Sequence, residues 1–237
     1  CDDIVKEMID EFNMQWLHSV PLTKSWISEY EKIYVPKPVI PVIKHKNIHP
    51  NLMQQEALAS LTALRNNHKN KALLISATGT GKTYLSAFDV KNIDPKRILF
   101  VVHRENIARD AMNTFKNIIK NHTFGIFTGS DKDINSNYIF STVQTIHKKE
   151  YREMFKPDTF DYIIIDEVHR AGAESYQELM NYFIPSFLLG MSATPERSDN
   201  FDIYKMFDYN IAYEIRLQQA MEYNLLCPFH YYGISDF

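Results

Sequence analysis

Ala72-Leu73-Leu74-Ile75-Ser76-Ala77-Thr78-Gly79-Thr80-Gly81-Lys82-Thr83 is an apolar run that breaks into small, polar and glycine residues and ends on a lysine and a threonine. Consecutive apolar residues of this kind fit a strand buried on both faces. Gly79 and Gly81 permit backbone conformations that a Cβ would obstruct, so the N–H groups of the loop can surround phosphates. Lys82 and Thr83 open the next helix, whose N-terminus adds free N–H groups and the positive end of its dipole. The general pattern of such loops begins with glycine; Ser76 holds that position here.

A second apolar run, Ile163-Ile164-Ile165, ends in Asp166-Glu167-Val168-His169. Two carboxylates at the end of a buried strand need partners, because burying an unpaired charge is costly. A metal ion and a polarised water supply them. Together the two segments meet the needs of a nucleoside triphosphate with magnesium. Thr78, Gly79, Thr80 and Gly81 surround phosphates, Lys82 reaches the terminal ones, and Thr83 and Asp166 hold Mg2+. Glu167 is the candidate base for water. Lys82, Asp166 and Glu167 are therefore the expected catalytic residues, and His169 joins them as a neighbour.

The rest of the chain expects a fold that suits this chemistry. From about residue 48, helices alternate with apolar strands: a helix at 51–67, then strands at 72–75, 98–102, 124–127, 138–141, 160–165, 187–191 and about 209–214. A helix at about 104–119 follows the second of these. Such alternation indicates a mainly parallel sheet covered by helices on both faces, an α/β fold. Ligands of such sheets bind at strand carboxyl ends, where both quoted segments fall. Before residue 48, Ile4, Val5, Met8, Ile9, Phe12, Trp16 and Leu17 fall on one helical face, and Trp26, Ile27, Tyr30 and Ile33 repeat the spacing. Pro36, Pro38 and Pro41 then mark an extended connector.

Composition excludes several classes. The 237 residues can bury one sizeable core with a small satellite. A hydrophobic share of 45% and a charged share of 23% are ordinary for a globular chain. No apolar stretch approaches the roughly 20 residues of a membrane helix. The two cysteines, Cys1 and Cys227, suggest neither a disulfide framework nor a metal site. With no signal-peptide pattern, the cytoplasm is the expected compartment, and Cys1 in place of methionine suggests a fragment of a longer protein. The net charge of −3 argues against a wholly electrostatic nucleic-acid binder but allows a local phosphate groove.

In order, Gln54, Ala77–Thr83, Asp166-Glu167-Val168-His169 and Ser192-Ala193-Thr194 resemble the motifs of the first motor domain of superfamily II helicases, a group that includes the DExH translocases of restriction and repair systems. The resemblance covers about residues 48–230. It implies a RecA-like P-loop domain that hydrolyses ATP with Mg2+ and moves along or remodels nucleic acid. Gln54 matches the adenine-reading position, and its amide can both donate to and accept from an adenine edge. Ser192 and Thr194 match a segment that couples the nucleotide site to nucleic-acid binding, with His169 beside it. His103 and Arg104, then Thr128 and Gly129, then Thr142 and Gln144, resemble the strand-contacting motifs; hydroxyls and helix N-termini suit phosphates. Arg197 falls near the same path.

The resemblance also sets an organisation. Residues 1–47 look like the tail of a preceding domain, as in bacterial fusions of a phospholipase D-like module to such a helicase, though no HxK-type motif occurs there and no nuclease activity is implied. Residues 48–226 form the RecA-like ATP-binding domain. Residues 227–237, with Phe229, His230, Tyr231 and Tyr232, begin a linker to a second RecA-like domain that supplies arginine fingers. The expected partners are nucleic acid, DNA ahead of RNA, and that second domain, with no membrane. Two other functions remain open: an ATP-gated clamp or scaffold on nucleic acid, and a P-loop ATPase acting on protein.

Overall fold

The computed structural model describes residues 2–19, 23–33, 48–170, 174–194, 202–223 and 225–226. The connector with Pro36, Pro38 and Pro41, both cysteines, Arg197 and the Phe229–Tyr232 cluster lie outside the described residues. The chain divides between residues 47 and 48 into two units. The first holds helices α1 (Asp2–His18) and α2 (Lys24–Ile33). Thr23 starts α2 by accepting the Trp26 amide at 3.2 Å, which satisfies one of the helix's free N–H groups. Phe12 stacks on Trp16 and Trp26 on Tyr30, as side chains one helical turn apart can.

In the second unit, α3 (Leu52–Asn66), β1 (Lys71–Ser76), α4 (Lys82–Ile93), β2 (Ile98–Val102), α5 (Glu105–Ile118), β3 (Phe124–Phe127) and β4 (Tyr138–Thr142) come first. There follow α6 (Val143–Ile146), α7 (Lys149–Arg152), β5 (Tyr162–Ile165), a short 3-10 turn (Val168–Arg170), α8 (Glu174–Tyr182), β6 (Phe187–Ser192), α9 (Ile203–Met206), β7 (Ile211–Ile215) and α10 (Leu217–Glu222). The strands form one seven-stranded sheet in the order β3-β4-β2-β5-β6-β1-β7. Every ladder in it is parallel. All strand carboxyl ends therefore share one edge.

The two-residue period of each strand splits its side chains between two cores. Ala72 and Leu74 of β1, with Ile98, Phe100 and Val102 of β2, pack under α3, α4 and α5. Leu73 and Ile75, with Leu99 and Val101, pack under α6, α8 and α9 through Val143, Ile146, Leu179, Ile203 and Phe207. These strands read as unbroken apolar runs because both faces are covered. Phe100, Phe140, Tyr162 and Phe187 are core residues, as their spacing implies. Gly190 in β6 is required by a close approach: a Cβ there would meet the Phe207 ring at 2.4 Å. The run expected at 160–165 pairs only from Tyr162, while Phe160 packs into the second core ahead of the ladder.

Candidate nucleotide and strand-contact site

Strand order separates the motif residues into two halves of one sheet edge. The carboxyl ends of β5, β6 and β1, which are adjacent in the sheet, carry Asp166–Glu167, Ser192 and the glycine loop. The ends of β3, β4 and β2, also adjacent, carry Thr128–Gly129, Thr142 and His103–Arg104. The halves meet where the Asp166 amide donates to Val101 O at 2.9 Å, from β5 to β2. No local feature of the sequence states this partition, because crossover connections leave strand order free.

The loop from Ser76 to Lys82 is ordered by its own polar groups. Ser76, in the position where glycine is usual, ends β1 with its hydroxyl 2.5 Å from Thr80 Oγ1. Thr80 Oγ1 also lies 2.7 Å from Ala77 O, to which it donates. Gly79 and Gly81 have φ of 88° and 87°, the left-handed region that side chains disfavour. Lys82 Nζ donates to Ser76 O at 2.8 Å and to Ala77 O at 3.3 Å. Burial lowers the pKa of this ammonium, and the charges of Asp166 and Glu167 oppose that shift. Thr83 is half-buried in the first turn of α4.

Gln54 is 5% exposed, and both ends of its amide are engaged. Its Oε1 accepts the Asn51 amide at 3.0 Å, closing a capping box on α3, and its Nε2 donates to Gly81 O at 3.2 Å. A Cβ on Gly81 would meet that Nε2 at 2.8 Å. Gln54 thus braces the loop in addition to whatever edge it can offer a base. On the other side Leu226, which follows α10, lies 3.0 Å from where a Gly79 Cβ would stand.

At the end of β5, Asp166 Oδ1 accepts the Glu167 amide at 3.0 Å. Burial, followed by the charge of Glu167, raises the Asp166 pKa to about 6, while Lys82 and the Glu167 N–H act the other way. Glu167 has φ 55°, a left-handed turn in a residue with a side chain. Its Oε2 is 3.1 Å from His169 Nδ1, and the same nitrogen is 3.2 Å from Ser192 Oγ. Ser192 directs its own proton to Thr194 O at 3.0 Å and accepts the Thr194 amide at 3.2 Å. With that proton committed, Nδ1 is the donor to Ser192, and it stands at ion-pair distance from Glu167. Glu167, His169, Ser192 and Thr194 therefore form one run of polar contacts from β5 to the end of β6.

In the other half, Arg104 is exposed at the N-cap of α5, His103 is half-buried, and Gln144 is exposed in α6. Thr142 is 7% exposed, with Oγ1 3.0 Å from that of Thr145. Thr128 is fully buried, whereas Gly129 is exposed. Residues not anticipated as part of the site tie this half together: Glu105 Oε1 accepts from Ser130 Oγ at 2.9 Å and from Arg109 Nη2 at 2.7 Å. The Glu-to-Arg spacing of four on a helix is the signal that points to half of that arrangement.

Chemically, the loop, Lys82 and the α4 N-terminus suit phosphates, and Thr83 with Asp166 offers two oxygen donors to a hard cation. Among the described residues no group of three or more His, Cys, Asp or Glu side chains is placed to hold a metal ion on its own.

A parallel sheet with this loop after one strand and an acidic pair at the end of another, two strands away, is that of a RecA-like P-loop domain, the first motor domain of superfamily II helicases. The chain belongs to the family described as "Type III restriction enzyme, res subunit" (ResIII), whose model matches residues 47–197. It is 30% identical over 200 residues to the type I restriction enzyme EcoAI endonuclease subunit of Escherichia coli, covering 76% of this chain and 23% of that protein. It is 28% identical over 192 residues to the putative ATP-dependent helicase IRC3 of Saccharomyces cerevisiae, covering 73% and 27%. Its fold matches a nuclease-deletion mutant of the type ISP restriction-modification enzyme LlaGI, solved in complex with a DNA substrate mimic, at a TM-score of 0.60 and 20% identity over 76% of this chain and 21% of that one. It also matches the Pyrococcus furiosus Hef helicase domain at a TM-score of 0.56 and 16% identity, over 70% and 39%. The chain spans about a quarter of the length of the curated relatives it matches. No helix among the described residues is long and apolar enough to cross a membrane.

Proposed function

We propose that this chain is the nucleotide-binding half of a nucleic-acid-dependent ATPase, a helicase or translocase acting on DNA in preference to RNA. The observation that carries this reading is the shared sheet edge, which sets nucleotide motifs beside strand-contact motifs and joins them at β5 and β2. A protein-directed ATPase would have no use for the second half.

Thr78 to Gly81 and the α4 N-terminus bind the phosphates, and Lys82 turns from the loop carbonyls to the terminal phosphate. Thr83 and Asp166 hold Mg2+, which neutralises charge on the phosphates when bound. Glu167 orients water and takes its proton on a carboxylate oxygen. His169 holds that carboxylate through Oε2 and reports its state to Ser192 and Thr194. Gln54 senses the nucleotide through its bond to the loop, and its amide is the group that can read adenine. Arg104, Gly129, Gln144 and His103 line the path of a phosphate backbone, while Thr128 and Thr142, expected as contacts, are buried and support the turns that present it. A second RecA-like domain completes the cleft and supplies arginine to the developing charge.

Lys82→Ala tests the nucleotide half. In the intact protein it removes the cation aimed at the terminal phosphates, and ATP binding is expected to weaken by about 10- to 100-fold, the range of a single charged hydrogen bond. Titration with a fluorescent ATP analogue measures it; wild-type affinity in the variant contradicts the assignment.

A further inference from the structure

β3 is a four-residue strand at the edge of the sheet, so the turn that follows it has a strand neighbour on one side only. That turn carries Thr128-Gly129-Ser130-Asp131 and is nevertheless held at several points. The Thr128 amide donates to Asp131 O at 2.7 Å. Ser130 Oγ donates to Glu105 Oε1 at 2.9 Å. Arg109 donates to the same oxygen through Nη2 at 2.7 Å and Nε at 3.1 Å, and its Nη2 also pairs with Asp131. Lys132 reaches back to Thr128 O and to Gly129 O, with its ammonium 4.6 Å from the centre of the Tyr151 ring. A Cβ built on Gly129 meets nothing within 4 Å, so the outer side of the turn is open.

Stability does not account for this arrangement. Arg109 and Asp131 are 43% and 52% exposed, and ion pairs between exposed side chains add little to folding free energy. What the forked guanidinium does is fix geometry, because it spans two carboxylates on two different elements. Arg109, followed by the hydroxyls of Ser130 and Thr128, holds the Glu105 carboxyl below its ordinary range, so it stays ionised and bound.

We infer that Glu105 and Arg109 are positioning residues for the nucleic-acid grip: they lock the 128–131 turn, anchored by the buried Thr128, to the start of α5, so that the exposed Arg104 and Gly129 face one phosphate run together. This rests on the motor reading above. It makes a prediction opposite in sign to simple electrostatics. Removing a carboxylate beside a polyanion path should tighten binding by Coulomb's law. Releasing the turn should weaken it.

The test uses the full-length protein at fixed ionic strength, with ATP turnover followed against DNA concentration. Glu105→Gln is expected to raise the half-stimulating DNA concentration about three- to tenfold, the range of one or two broken surface contacts. Maximal turnover stays within about twofold, and the dependence on salt keeps its wild-type slope because no phosphate-bound cation is lost. Arg109→Lys, which retains the charge but not the fork, shows the same rise. A Glu105→Gln variant that responds at the wild-type DNA concentration or a lower one overturns the inference, as does an Arg109→Lys variant that matches wild type. A wild-type protein whose turnover no polymer raises overturns the motor reading, and the latch with it.

Discussion

Glu167→Gln in the intact protein is expected to keep ATP binding within a few-fold of wild type and to lose turnover by about 100- to 10,000-fold, the usual contribution of a positioned base. Glutamine is isosteric with glutamate and keeps an oxygen that can accept from His169 Nδ1, which lies 3.1 Å from Oε2. What it lacks is the capacity to take a proton from water. The left-handed turn at Glu167, with φ 55°, aims the carboxylate and survives the exchange, so the loss falls on chemistry rather than on folding. Single-turnover hydrolysis compared with analogue binding separates the two. Turnover near wild type would remove Glu167 from its role.

The second large effect concerns stability, away from the phosphate loop. Asp89 in α4 is 2% exposed and receives Arg65 of α3, whose Nη1 donates at 3.0 Å. Tyr162 at the start of β5 donates to the same carboxylate at 2.6 Å, and the Arg65 guanidinium sits 4.2 Å from the centre of the Phe187 ring. Asp89→Ala strands a largely buried guanidinium and a buried phenol together. Breaking such a pair costs about 3–5 kcal/mol, which for a unit of this size is a fall in melting temperature of roughly 10 °C. The double variant Asp89→Leu/Arg65→Met removes both charges and recovers much of the loss. Thermal unfolding of the three proteins checks this; an Asp89→Ala variant that melts with wild type contradicts it.

Those two sites differ in how far they could be read in the sequence. Glu167 stands out because it and Asp166 interrupt an isoleucine run, and charge at the end of a buried strand demands a reason. The strands are legible for the same cause: with both faces covered, each is a short apolar block such as Ile98–Val102. Asp89, Arg65 and Tyr162 give no such signal. They lie on three elements, and nothing local says that α3, α4 and β5 converge. Strand order is hidden in the same way, since the pairing of β1 with β6 spans more than a hundred residues of chain. Helices α8, α9 and α10 go beyond the sequence reading because each is short and its apolar residues serve the core through few positions. Gln54 illustrates a subtler limit. Its amide was legible as a donor and acceptor, but its use in capping α3 and in bracing Gly81 depends on the loop being brought to it.

The partition of the sheet edge is the central claim: one half for a nucleotide, the other for a phosphate backbone, coupled through β5, His169 and Ser192. The most direct measurement is the ATP turnover of the full-length protein alone and with single- and double-stranded DNA and RNA at one ionic strength. The account predicts a low rate alone and a rise of at least about tenfold with one class of DNA. Nucleotide-dependent binding to DNA without that rise would mean a clamp in place of a motor. Indifference of both binding and turnover to every polymer would contradict the account outright.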